Sequence, residues 1–392
     1  MMKSMKSVYI YSNGCSSNIL DGQRLSQYFE INGYELTQDP ATADVIVVNT
    51  CAFESVSEKD SLEKIQELQN IKCEKMIVCG CLPAINKQKM EDVYSGEYFI
   101  PKDEATWSKV DQIIHARVPI SEVKDPSVLS VRWKDWKLIG TYKAFRENNE
   151  CKAISGYDED AFHLRIATGC ASNCSYCAIK FARGSIKSKP IDDILNDFKD
   201  GLSKGFKSFK IWADDVGDYG LDINTNIAYL LEEILKIRDD YELEILATNP
   251  NRFIELYEIL APCLCDSRVK YLNISIQSGS SKILKLMNRE IDLKELLVKV
   301  RDLKARAPHL IIRAHYMVGF PHEKLKDFIS TLVFTFKARI FKYLVSKYDP
   351  KPNTEASQLQ HQASPLKKEI YYYSLIFWGK FWSLLLEDGK TY

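Results

Sequence analysis

Three cysteines crowd into eight residues, Cys170, Cys174 and Cys177 in GCASNCSYCAIKFARG, directly after the strand-like run AFHLRIAT (161–168). A C-x3-C-x2-C loop at a strand end holds three thiols close enough in sequence to share one inorganic group. Cysteine sulfur is the usual ligand of iron–sulfur clusters, and a cubane held by only three cysteines keeps one iron open to another ligand. The competing structural reading is a zinc knot, which wants four ligands with a second pair at short range. No Cys or His lies between Cys177 and Cys263, so the triplet favours the cluster.

The segments around this loop set the fold class. From 161 onward strand-like runs recur (AFHLRIAT, FKSFKIWADD, ELEILATN, VKYLNISIQ, LIIRAHYMVGF, ARIFKYLVSK), separated by helical-period segments such as IDDILNDFKDGLSKG and NIAYLLEEILKIRDD. Six β-then-α repeats are two short of a closed eightfold barrel. The expectation is an open, partial (β/α)6 barrel with its active face at the carboxyl ends of the strands. The first third also alternates (SVYIYSNG, ADVIVVNTC and KMIVCGCLP between helical segments) and predicts an open parallel α/β sheet. Cys15, Cys51 and Cys81 each sit at or just past the end of one of its strands, the edge where such sheets place ligands. Cys79 lies two residues from Cys81.

These motifs resemble the radical S-adenosylmethionine (SAM) enzymes, and the contexts SNGCSSN, VNTCAFE and CGCLP resemble their methylthiotransferase branch. The resemblance covers about residues 1–360. It implies four segments: an auxiliary-cluster domain over 1–115, a linker over 116–155, the partial radical SAM barrel over 156–350, and an aromatic helical tail over 351–392 without the β-rich TRAM module that relatives append. It implies two 4Fe-4S clusters, one on Cys170, Cys174 and Cys177 and one on Cys15, Cys51 and Cys81, with Cys81 preferred over Cys79. Both triplets would be catalytic, SAM being bound at the first and sulfur carried at the second.

For SAM, the resemblance points to Tyr176 beside the adenine and to Asp214 or Asp215 in IWADDVGDYGLD as a carboxylate for the SAM amino group or for substrate. It also points to Gln277 and Ser278 in NISIQSGSSKILKLMNRE, as contacts to SAM or to the path between the clusters, and to Arg313, a cation suited to the SAM carboxylate. Leu286, Met287 and Arg289 are assigned to packing. Arg183-Gly184 is retained, Lys189-Pro190 stands where relatives often have Arg-Pro, and His322 departs from the pattern after VGFP and is given no role.

The implied reaction replaces C–H by C–S–CH3, with the two clusters facing each other across the substrate. Lys+Arg and Asp+Glu are both 53 in 392 residues, so no global basic excess draws the chain to a polyanion, where phosphate contacts dominate affinity. That balance and the missing module favour a peptide or protein side chain, with a tRNA adenosine as the alternative. A two-cluster peptide-modifying enzyme without sulfur insertion and a non-catalytic iron–sulfur or zinc protein are the other readings. A reductase or flavodoxin-type electron donor and a sulfur donor are expected partners. Eleven widely spaced cysteines suit a reducing compartment. Without a signal-peptide core or a membrane-length apolar run, the chain reads as cytoplasmic, with no membrane partner.

Overall fold

The computed structural model describes residues 5–128 and 161–386; most of the expected linker, 129–155, lies outside the described residues. The chain divides into two compact units. Of the described residues, the first holds 5–128 together with 178–184 and 351–353, and the second holds 161–177, 185–350 and 354–386.

The first unit is built on β1 (Lys6–Ser12), α1 (Ser16–Ile31), β2 (Tyr34–Leu36), β3 (Val45–Thr50), α2 (Ser55–Leu68), β4 (Lys75–Gly80) and β5 (Glu97–Tyr98). Its five strands are parallel and ordered β2-β1-β3-β4-β5. The run VIVVNT of β3 is buried at all six positions, as a central strand covered on both faces must be. One face packs Val8, Ile10, Val45 and Val47 with Leu25, Tyr28 and Phe29 of α1. The other packs Ile46, Val48 and Val78 with Ile65 and Leu68 of α2.

Helix α3 (Ile179–Arg183) immediately follows Cys177 yet belongs to this first unit, because Ala178 and Ala182 are buried with Val48, Val78 and Leu82. Lys351 also joins it, its ammonium 3.1 Å from the buried Glu58 carboxylate. Both short segments pack with residues of the first unit that are far from them in sequence.

The second unit carries β6 (Phe162–Arg165), α4 (Ile191–Ser203), β7 (Ser208–Trp212), α5 (Ile227–Lys236), β8 (Glu242–Thr248), α6 (Tyr257–Leu264), β9 (Val269–Gln277), α7 (Leu293–Arg306), β10 (Ile311–Val318), α8 (Leu325–Ala338), β11 (Tyr343–Lys347) and α9 (Pro365–Leu386). Its six strands pair in parallel in chain order from β6 to β11, with β6 and β11 at the two edges. The sheet is thus an open (β/α)6 array. Phe162, Phe209, Leu243, Leu272 and Ile312 are buried. Alternate positions carry a polar set: Lys210 and Arg313 share the Glu244 carboxylate at 2.8 and 2.6 Å, all three nearly fully buried.

Candidate cluster sites

In the first unit, the turns after three neighbouring strands each deliver a cysteine. Cys15 caps α1, Cys51 directly follows β3, and Cys81 starts the short helix after β4. Two glycines allow this convergence. Gly14 has φ +94°, and a Cβ there would lie 2.5 Å from Cys51 Sγ; Gly80 has φ +95°, and its Cβ would lie 2.2 Å from the Thr50 carbonyl. Neither turn tolerates a side chain.

The backbone around Cys51 is pinned from α2. Cys51 N–H donates to Asn13 Oδ1 (2.8 Å) and Ser61 Oγ (3.1 Å), and Ser61 Oγ donates back to the Cys51 carbonyl (2.8 Å). Cys81 N–H donates to the Thr50 carbonyl at 2.8 Å. Burial pushes the Cys51 thiol up to about 12, and the neighbouring Cys15 adds to the rise. Cys81 is also raised by burial and by Cys51 and Cys15, against the pull of Arg183. Three mutually repelling sulfurs are stable as thiolates only when metal supplies the positive charge. Cys79 instead lies on the other face of β4, in the α1-side core.

Arg183 was legible only as half of a retained Arg-Gly step. Its Nη1 donates to Asp21 Oδ2 at 2.5 Å, the two side chains being 4% and 2% exposed. This buried pair, one residue from α1 and one from α3, is the electrostatic setting of Cys81.

In the second unit, the loop after β6 carries Cys170, Cys174 and Cys177, and the ends of the following strands hold it. Asp214 accepts from Gly169 N–H (2.8 Å). Asp218 accepts from Ala171 N–H (2.8 Å) and from the Cys170 thiol (3.4 Å), and receives Arg252 Nε at 3.0 Å. Ser175 donates to Met287 O through its N–H and to Leu286 O through its hydroxyl. Leu286 and Met287 therefore anchor the loop.

Arg289 does more than pack. Its Nη1 donates to Cys174 Sγ at 3.2 Å and reaches Tyr176 Oη at 3.5 Å, with the residue 8% exposed. Burial, followed by the nearby Asp218, raises Asp215 to about 7, against the pull of Arg289. Burial and Arg289 together hold His315 down at about 4, so its imidazole is neutral.

Among the described residues, the only set of three or more Cys, His, Asp and Glu ligand atoms lying within 4.8 Å of one another is Cys170, Asp215 and Asp218. Cys170 is thus shared between the cysteine loop and two carboxylates at the strand ends. Beside the loop, the carboxyl ends of β7, β8 and β9 leave Trp212 Nε1, Thr248 Oγ1 and Gln277 Oε1 buried and without a hydrogen-bond partner. Buried polar atoms of this kind normally find partners, and here a ligand can supply them. The backbone is strained at the same level, with Ala247 at φ +56° and Gln277 at φ +71°, and both strands lose register there.

Two of the expected SAM contacts have other partners. Ser278 Oγ faces Thr331 Oγ1 (3.5 Å) and caps the Ser280 amide (3.2 Å), locking the Gln277–Ser280 turn onto α8. Arg313 lies 3.7 Å over the Tyr271 ring and is paired with Glu244. Arg289 is the cation that hydrogen-bonds a cysteine of this loop among the described residues. Tyr176 packs edge-on to Phe320 at 6.4 Å.

Residues 7–100 match the uncharacterized protein family UPF0004, and residues 164–335 match the Radical SAM superfamily. A ribosomal protein uS12 methylthiotransferase RimO from Clostridium botulinum is 32% identical over 370 residues, 92% of this chain and 79% of that protein. A probable threonylcarbamoyladenosine tRNA methylthiotransferase from Pyrococcus abyssi is 30% identical over 366 residues, 93% of this chain and 82% of that protein. The chain belongs to the radical SAM methylthiotransferase family. Its fold also resembles the cobalamin-bound radical SAM methyltransferase TsrM from Kitasatospora setae, at 14% identity and a TM-score of 0.65 over 91% of this chain and 77% of that one. As a radical SAM methylthiotransferase it is a sulfur-inserting enzyme that uses SAM and a 4Fe-4S cluster. No described helix is long and apolar enough to cross a membrane.

Proposed function

We propose that this methylthiotransferase uses two 4Fe-4S clusters to replace C–H by C–S–CH3 on a peptide or protein side chain. The observation that carries the reading is the convergence of Cys15, Cys51 and Cys81 at the ends of three strands, with Gly14 and Gly80 admitting the close turns. When bound, the Cys170/Cys174/Cys177 group supplies one-electron cleavage of SAM to methionine and a 5′-deoxyadenosyl radical, and the Cys15/Cys51/Cys81 group supplies the sulfur that is methylated and transferred.

The protein's part is to bind, orient and exclude water. Arg289 holds positive charge against Cys174, and Asp214 and Asp218 fix the loop at Gly169 and Ala171. Gln277, Thr248 and Trp212 offer unspent polar atoms to the SAM nucleoside and amino acid. Neutral His315, bonded to Ser346 at 3.1 Å, adds a polar group without a competing charge. Ser278 and Arg313 act indirectly, by holding the Gln277 turn and the sheet interior. Asn13 and Ser61 hold the Cys51 backbone, so the sulfur-bearing group is presented from a rigid edge.

A protein substrate is supported by the equal counts of basic and acidic residues and by the relatives named for ribosomal protein uS12. The relatives named for tRNA supply the second reading. A flavodoxin-type or other reductase and a sulfur donor complete the cycle, in the reducing cytoplasm that both thiol triplets require. The test is anaerobic turnover with SAM and dithionite on purified ribosomal protein uS12 and, separately, on bulk tRNA. A methylthio group on the protein alone supports the reading; a methylthio-nucleoside alone moves the enzyme to the tRNA class.

A further inference from the structure

Helix α9 is apolar on two opposite faces. Its inner face docks on the second unit: Tyr371 stacks on Phe328 at 4.2 Å, Leu375 and Gly379 are buried, and Leu375 O accepts from Tyr343 Oη at 2.7 Å. Trp378 Nε1 donates to Thr335 Oγ1 of α8. Its outer face carries Leu366, Ile370, Tyr373, Phe377, Phe381 and Leu384, with exposures from 43% at Phe381 to 82% at Leu384. Their spacing of three and four residues puts all six on one stripe. A helix that is apolar all round is normally covered all round.

The order of residues on the stripe suggests what covers it. It reads nearly the same in both directions about position 375: Leu366 and Leu384 lie nine residues to either side, Tyr373 and Phe377 two, and Ile370 and Phe381 five and six. An antiparallel copy related by a twofold axis through that point therefore sets Leu366 on Leu384 and Tyr373 on Phe377. Such self-complementarity is what an isologous interface needs. The flanking charges agree. Glu369 and Lys380 border the same edge of the stripe, and the twofold brings Lys380 of one copy to within a residue of Glu369 of the other. Glu369 uses Oε1 for Lys347 at 2.7 Å in its own chain, which leaves Oε2 for this pairing.

The available area is of the right order. Aromatic side chains bury about 150–250 Å² each when fully covered, and Leu and Ile bury less. At the observed exposures, complete covering of all six gives a ceiling of roughly 600–800 Å² per copy, approaching the approximately 800 Å² per partner of a stable interface. We infer that the outer face of α9 is a homodimer interface in which two copies of the helix pack antiparallel about residue 375.

The test is anaerobic sedimentation equilibrium on the reconstituted full-length chain, with iron content as the check that each variant is folded. The wild type is expected to dimerise with a dissociation constant of about 1 μM or tighter. Phe377→Glu, beside the axis, should weaken association by about 30-fold or more, the loss expected of a central aromatic contact. Lys380→Glu and Glu369→Lys should each weaken it several-fold, by about the factor of an exposed charge pair. The two changes on one chain should associate more tightly than either change alone, because antiparallel pairing then swaps the charges, while the repulsion of Glu369→Lys from Lys347 within each chain is common to the Glu369→Lys single and the double variant. A parallel dimer would show no such gain, and a dimer indifferent to Phe377→Glu would use another surface; either result overturns the proposal. So would a wild type that stays monomeric, including one that instead sediments with phosphatidylglycerol vesicles.

Discussion

Replacing Arg289 by Gln should lower the reduction potential of the SAM-binding cluster by about 100 mV. Its Nη1 lies 3.2 Å from Cys174 Sγ in a buried setting. A unit charge about 4 Å from an added electron contributes roughly 4 kcal/mol at an effective dielectric of 20. Spread over a cluster, the electron senses about half to two-thirds of that, roughly 2–3 kcal/mol. One tenfold step of about 1.4 kcal/mol corresponds to about 59 mV for a one-electron couple, hence the figure of about 100 mV. The sign follows because reduction adds negative charge that Arg289 stabilises. The measurement is an anaerobic redox titration followed by electron paramagnetic resonance, in a Cys15→Ala, Cys51→Ala, Cys81→Ala background that leaves one cluster to observe. Arg289→Lys keeps the charge and should recover most of the shift. A potential within about 20 mV of the parent in Arg289→Gln, at unchanged iron content, would refute the electrostatic role and leave Arg289 a packing residue.

Three further outcomes follow from the same geometry. Gly14→Ala places a Cβ 2.5 Å from Cys51 Sγ at φ +94° and should prevent the cluster proposed for the first unit from binding, roughly halving bound iron while the second unit keeps its share. Arg183→Met leaves Asp21 as a buried carboxylate without its partner guanidinium and should cost about 3–5 kcal/mol in denaturant unfolding, a loss that Asp21→Asn on the same chain should largely relieve. Glu323, buried with its carboxylate receiving Gly319 N–H, is raised to about 7, chiefly by burial. Its folded form keeps a proton that the unfolded chain releases near 4.5, so its contribution is fully present below about 4.5 and is lost as pH rises through 7. Glu323→Gln should therefore flatten that decline, gaining about 2–3 kcal/mol over the wild type at pH 8 and little at pH 4.

The alternation of strands and helices, and the placing of three cysteines at strand ends and three on the loop after β6, were legible because both depend on local pattern: a period-two or period-3.6 apolar repeat, and thiols beyond it. What escaped was long-range. Arg289 meets a cysteine 115 residues earlier and Arg183 a carboxylate 162 residues earlier, and nothing in local composition reports such pairings. The only sequence signals were the Leu-x-x-Met-x-Arg and Arg-Gly fragments themselves. Arg313 and Ser278 were singled out by their match to family motifs, which carries no information about packing. Glu244, two strands from Arg313 in the sheet, pairs with its guanidinium. Ser278 Oγ accepts from the Ser280 amide within its own turn. The short α3 helix reads as the continuation of the cluster loop, and only its buried alanines assign it to the other unit.

The most direct test of sulfur insertion is a single-turnover reaction under argon with methyl-labelled SAM, comparing the wild type with the Cys15→Ala, Cys51→Ala, Cys81→Ala variant. The account predicts that both enzymes form 5′-deoxyadenosine, while only the wild type yields product carrying the labelled methyl on a new C–S bond. Methylthiolated product from the triple variant, in wild-type yield, would contradict it.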